Sequence, residues 1–204
     1  MKKLVGLLVG AMMMMATSAM ALTYTLTQTD LLNLHVLEST PIEYSTSPIP
    51  DGTGAVKFST IFKPVYQLNA FVAYGLEFST ALDLSAYDKF ELVVTNRNEN
   101  PWNFGLFAGA PSLDYNSLPT SVAVDATTVL TLDLTGMSVS DRANVNELGL
   151  YLNANLPIIG TGGEEDYTAE FSAAPVPEPG TMVLLGAGLL GLAIFGKRRM
   201  NKEA

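Results

Sequence analysis

Between Leu22 and Ala174 apolar residues recur at every second position, the period of strands with one buried face. "FVAYGLEF" places Val72, Tyr74, Leu76 and Phe78 on one side, "KFELVVTN" places Phe90, Leu92 and Val94, and "PWNFGLFAG" places Trp102, Phe104 and Leu106. "TVLTLDLTG" does the same with Leu130, Leu132 and Leu134, "ELGLYLNAN" with Leu148, Leu150 and Leu152, and "DYTAEFS" with Tyr167, Ala169 and Phe171. The joints, such as "SPIPDGTG", "TNRNENP" and "LPIIGTGGEED", are rich in the Gly, Pro, Asn and Asp of turns. No segment holds a sustained helical period, although "DLSAYD" and "SDRANV" each suit a single turn. About nine or ten such strands fit two packed sheets better than one open one, so the pattern predicts an all-β, two-sheet antiparallel β-sandwich of jelly-roll type.

The ends break this pattern. Lys2 and Lys3, an apolar run from Leu4 to Met15, and the small residues Ala19 and Ala21 form an N-terminal signal helix, with cleavage expected after Ala21. Beyond Ala174 a proline-punctuated segment, "APVPEPGT", gives way to an uncharged apolar stretch and then to Lys197, Arg198 and Arg199. The order predicts a signal peptide at 1–21, an extracellular sandwich at 22–174, a proline-rich linker at 175–181, a transmembrane helix at 182–196 and a basic cytoplasmic tail at 197–204. Basic residues after an apolar span hold that end inside, so the sandwich lies on the far side of the membrane.

Charge narrows the partners. Of the 11 Lys and Arg only 5 lie in the middle segment, against 18 of the 20 Asp and Glu, leaving it at −13. Such a surface repels phosphate backbones, so no nucleic-acid partner is expected. Cysteine is absent, which excludes disulfides, thiolate metal sites and a cysteine nucleophile.

Candidate chemistry is sparse. His35 is the sole histidine, and nothing in "LLNLHVLES" pairs it with a nucleophile, so it reads as an ordinary strand or turn residue. Carboxylates are the abundant reactive groups, and Glu77, Asp83, Asp88, Glu91 and Asp133 are the candidates for a carboxylate-dependent enzyme acting on carbohydrate. Glu164, Glu165 and Asp166 form a charged loop that could hold calcium, although they lack the spacing of a dedicated calcium loop; no other cofactor is expected. A sugar-binding surface needs aromatic faces beside polar groups. Trp102, Tyr115 and Asn116 are the candidates for glycan contact, with the alternation around Trp102 also compatible with burial.

Two resemblances add to this reading. "LDLSAYDKFELVVTNRN" and "LTLDLTGMSVSDRANVNELGLYLNAN", followed by "YTAEFS", resemble the strand order of galactose-binding-like jelly rolls found in carbohydrate-binding modules. "VPEPGT", then "MVLLGAGLLGLAIF" and "GKRRMNKEA", resembles the PEP-CTERM sorting signal of Gram-negative bacteria. Its motif falls on Val176, Pro177, Glu178 and Pro179, and its basic end on Lys197, Arg198 and Arg199. The resemblance implies processing by an exosortase-type membrane protease, transient anchoring in the inner membrane, and delivery to the cell surface or extracellular matrix. The combined expectation is a non-catalytic exported sandwich that could bind extracellular polysaccharide, with a carbohydrate-active enzyme or a purely structural matrix protein as alternatives.

Overall fold

Each run of alternating residues becomes a strand whose apolar side faces a shared interior. The computed structural model describes residues 21–39, 42–45, 47–62, 70–98, 101–110, 113–154 and 167–177. Thirteen strands form two sheets: β1 (Thr23–Tyr24), β2 (His35–Ser39), β3 (Ile42–Ser45), β4 (Ile49–Pro50), β5 (Val56–Phe62), β6 (Ala70–Leu82), β7 (Lys89–Asn96), β8 (Trp102–Ala110), β9 (Leu113–Asn116), β10 (Thr120–Val122), β11 (Thr127–Asp133), β12 (Val145–Ala154) and β13 (Tyr167–Pro175). The surplus over the expected nine or ten comes from short pieces such as β1, β4 and β10, too brief to show a period.

The seven-stranded sheet runs β1-β7-β13-β5-β3, with β11 on β7 and β4 on β5; the six-stranded sheet runs β10-β8-β12-β6-β2, with β9 on β8. From β5 to β8 consecutive strands alternate between the sheets, as β11, β12 and β13 do again, which is the winding of a jelly roll. All pairings are antiparallel except β1 with β7.

Between the sheets lies one core. Phe58, Tyr74, Phe104 and Phe171 meet there, Phe58 stacking on Phe171 at 4.8 Å and Phe104 meeting Phe171 edge-on at 5.4 Å. Aromatic pairs of these geometries each add about 0.5–1.5 kcal/mol beyond burial. The Tyr74 hydroxyl is kept satisfied by Ser45 and Thr60, and burial raises its pKa above the usual phenol value.

The two "DL(S/T)" echoes have one physical meaning. Oδ1 of Asp83 accepts the N–H of Ser85 at 2.8 Å, and Oδ1 of Asp133 accepts the N–H of Thr135 at 2.9 Å. Each turn drives the intervening leucine, Leu84 or Leu134, fully into the core. Asp133 thereby caps a 3-10 turn at Leu134–Gly136.

Among the described residues there are two short helices: α1 (Gln28–Leu32) and α2 (Val139–Arg142). The second overlaps the turn expected in "SDRANV", taking in Ser140 to Arg142. The first has no sequence period, being five residues long, yet carries a capping box in which Thr27 and Asp30 satisfy each other's backbone N–H groups.

The strands also fix both ends of the domain. β11 takes one edge of β7, while β13 and then β1 share the other, because β11 and β1 both pair with Lys89 and Phe90 whereas β13 pairs with Leu92 to Asn96. Leu22 donates its N–H to the Asp88 carboxylate at 3.2 Å and accepts the Asp88 N–H at 2.9 Å. The Val176 N–H donates to Oγ1 of Thr25 at 3.1 Å, so the ordered sheet leads straight into the proline-rich segment.

Candidate functional site

The outward side of the six-stranded sheet carries a groove among the described residues. Antiparallel register sets four rows of outward residues across β8, β12 and β6: Asn103–Asn153–Phe71, Gly105–Tyr151–Ala73, Phe107–Gly149–Gly75 and Gly109–Glu147–Glu77. Glycine or alanine occupies five of the twelve positions. A strand gives up side-chain packing at each such glycine, and one in mid-strand marks a close approach. Here the approach is by aromatic rings. A Cβ on Gly105 would lie 2.2 Å from the Tyr151 ring, and one on Gly149 would lie 2.0 Å from the Tyr74 carbonyl oxygen and 2.8 Å from Phe107.

The result is a groove of about 540 Å³, within the range of roughly 300–1,000 Å³ typical of small-molecule sites. Its floor is the Phe107 and Tyr151 rings over bare backbone, with Phe71 tilted against Tyr151 at 5.9 Å. One wall carries Asn116 and Pro119 beyond β8, and the other carries Leu37 of β2. Leu37 sits at a β-bulge between Val36 and Glu38, and the extra residue re-aims its side chain over Gly75.

Ser117 locks the first wall. Its hydroxyl accepts the Leu106 N–H at 2.9 Å, its N–H donates to the Leu106 carbonyl at 2.8 Å, and its carbonyl accepts the Tyr151 hydroxyl at 2.6 Å. Burial raises the Tyr151 pKa above the usual phenol value, the Ser117 bond opposing it. The ring is therefore held at both its face and its tip.

Polar groups complete the lining. Glu77 and Glu147 are register partners at one end, and Asn153 stands towards the other. Nε2 of His35 lies 3.5 Å from Oε2 of Glu77, with both side chains more than half exposed. Oδ1 of Asn153 is enclosed and has no hydrogen-bond partner among the described residues.

The expected glycan contacts separate in this geometry. Asn116 lines the groove. Tyr115, its neighbour on β9, points to the inner side, where its hydroxyl would lie 2.1 Å from a Cβ on Gly136. Trp102 is corrected by the side it takes: it faces the core and stacks on Phe62 at 5.7 Å. The alternation with Phe104 and Leu106 decides its side, and a sugar on the surface cannot reach it. Phe107, partly exposed, takes its place, with Tyr151 packed on the same outer side and only 8% exposed; both are hidden from the alternation because they occupy the opposite phase of strands read for their core face. The glycines at 75, 105 and 149 were the available signal.

The candidate carboxylates also disperse. Glu91 is mostly buried on the seven-stranded sheet, bonded to Lys89 at 2.7 Å and to the Thr131 hydroxyl at 3.1 Å. Asp83 and Asp133 hold turns, and Asp88 holds Leu22. Only Glu77 of that set lies in the groove, where Glu147 joins it. No group of three or more metal-ligating side chains occurs among the described residues. Glu164, Glu165, Asp166, Ala19, Glu178, Pro179, Lys197, Arg198 and Arg199 lie outside the described residues, as do the expected signal and transmembrane helices; Ala21, Val176 and Pro177 are within them. Among the described residues no helix is long and apolar enough to cross a membrane.

Comparison with known proteins assigns the tail. Residues 175–199 match the PEP-CTERM protein-sorting motif. That motif implies export, sorting to the surface or exterior of a Gram-negative bacterium, and processing by an exosortase. No curated protein matches the chain. Among solved structures, an exo-β-agarase is similar with a TM-score of 0.45 and 11% identity, over 75% of this chain and 25% of its own. A second agarase gives 0.44 and 7%, over 67% and 21%. A family 11 carbohydrate-binding module from Clostridium thermocellum, in complex with a mixed-linked tetrasaccharide, gives 0.44 and 11%, over 71% and 86%. This chain thus spans about a quarter or less of the agarases' length. All three scores fall below 0.5, so the function of the groove is argued from its own residues.

Proposed function

We propose that this is a non-catalytic, exported glycan-binding protein whose ligand, an extracellular polysaccharide, lies in the groove on the outer side of the six-stranded sheet. The observation that carries the reading is the placement of the Tyr151 and Phe107 rings on a glycine floor between two walls. Pyranose rings present apolar faces that stack on aromatic rings, and hydroxyls that need hydrogen-bonding partners. Asn116, Asn153, Glu77 and Glu147 supply such partners around the rings. The reading requires neither metal nor cofactor. It joins the sorting motif to a purpose: the signal peptide exports the chain, the C-terminal span anchors it briefly, and processing delivers the sandwich to a polysaccharide matrix.

A second reading has one observation in its favour, the facing pair Glu77 and Glu147. Paired carboxylates about 5 Å apart serve retaining glycosidases. A general acid, however, is held protonated by an enclosing apolar pocket, and the Glu77 side chain is 65% exposed. Binding is therefore the better-supported role. Incubation of the purified protein with its host's polysaccharide, followed by reducing-end assay and affinity electrophoresis, separates the two. Retardation without new reducing ends supports binding; new ends that disappear in Glu147→Gln would replace it with hydrolysis.

A further inference from the structure

We infer that the groove selects polysaccharides bearing free amino groups, such as partly deacetylated amino-sugar chains, over neutral or uronic-acid polymers. The inference rests on the groove being a glycan site and concerns which glycan it takes. Three observations converge on one end of the groove.

The first is the Glu77–Glu147 pair. Like charges directly opposite each other on antiparallel strands destabilise a sheet, and these two are register partners on the same outward face. A cationic ligand between them turns the repulsion into attraction.

The second is the absence of compensation among the described residues. Lys57 and Lys89 belong to the other sheet, Lys89 being bonded to Glu91, and Arg97 follows β7. Arg142 lies on α2, reaching the Tyr87 carbonyl at 2.9 Å. His35 approaches Glu77 from the β2 side, but no described cation approaches Glu147.

The third is the character of the polar groups at that end. Two carboxylates offer acceptors only, and His35 reaches Glu77 alone. A ligand suited to them is rich in donors and positively charged. An ammonium group is the sugar substituent that supplies three donors and a charge together, and hydrogen bonds to ionised groups are roughly twice as strong as neutral ones. A uronate would bring a third carboxylate to the same site.

The test uses the full chain in a detergent without a sugar headgroup, at physiological salt. Calorimetric titration compares glucosamine, N-acetylglucosamine and galacturonate hexamers. The glucosamine hexamer should bind about tenfold or more tighter than its acetylated counterpart, with no binding of the uronate. Glu77→Gln/Glu147→Gln should remove this preference while retaining the acetylated hexamer, and Glu170→Gln, on the exposed side of the other sheet, should keep it. Equal affinity for the two amino-sugar hexamers, or a preference surviving in the double variant, overturns the inference but leaves the groove as a glycan site. Uronate binding, or tight binding only of the neutral hexamer with added calcium, also overturns it. No binding of any hexamer, together with no retardation by the host polysaccharide, removes both the selectivity and the site.

Discussion

The Tyr151 ring crosses the backbone of Gly105, so close that a Cβ there would stand 2.2 Å from the ring. The two residues are register partners on adjacent strands, and the missing side chain of one is the seat of the other. Gly105→Ala should therefore lift the ring out of its seat and break its bond to the Ser117 carbonyl. Folding should persist with a loss of about 1–3 kcal/mol from overpacking, while glycan affinity falls at least about tenfold, since stacking geometry is lost. Chemical denaturation and affinity electrophoresis on the same variant check the two outcomes.

Trp102 offers a complementary test because it is the sole tryptophan and lies on the inner face. Its fluorescence should resist acrylamide quenching and stay unchanged when glycan fills the groove. Trp102→Phe should leave affinity intact and cost about 1–2 kcal/mol in stability, through lost packing against Phe62.

The contrast between Trp102 and Tyr151 shows what the amino-acid pattern carries. Alternation told which side of a strand is buried, since burial drives the phase, and Phe90, Leu92, Phe104, Leu150 and Leu152 all lie in the core. It said little about the outer phase, where glycine and tyrosine at 105 and 151 acquire meaning only when two strands are placed side by side. Register is a long-range property, and neither strand contains it alone. The exposure of Asn116 is legible because a polar residue beside a turn is exposed in most arrangements. The α1 helix was hidden for a different reason: it is one turn long, and only the Thr27–Asp30 cap announced it.

The hydrogen bond from the Val176 N–H to Oγ1 of Thr25 ties the start of the sorting segment to the folded domain. Thr25→Val keeps the shape and deletes the acceptor, a change of about 1 kcal/mol. The Val176 amide should then exchange with solvent roughly fivefold faster by hydrogen-exchange mass spectrometry or NMR. Processing of the tail in the host should proceed at least as fast as in the unaltered protein, because the segment leaves the sheet edge more readily.

The Asx turns make a pH prediction. Hydrogen bonds from the side chains and backbones of Ser85 and Thr135 hold Asp83 and Asp133 below the usual carboxylate range, near 3.9. A lowered carboxylate stabilises the fold above its unfolded value, and this contribution is lost as the pH falls through the lowered folded value. The two turns should thus weaken only below about pH 4. Carboxyl-carbon NMR titration should find both groups below the reference, and Thr135→Val should raise Asp133 alone; titration of both at the reference value would contradict the geometry.

The central claim is that the outer side of the six-stranded sheet is the glycan site, and amide chemical-shift mapping with the host's own polysaccharide tests it most directly. Shifts should cluster on Phe107, Asn116, Tyr151 and Asn153, and Tyr151→Ala should abolish them while the fold stays intact. Shifts confined to the seven-stranded sheet, or unchanged in Tyr151→Ala, would contradict the account.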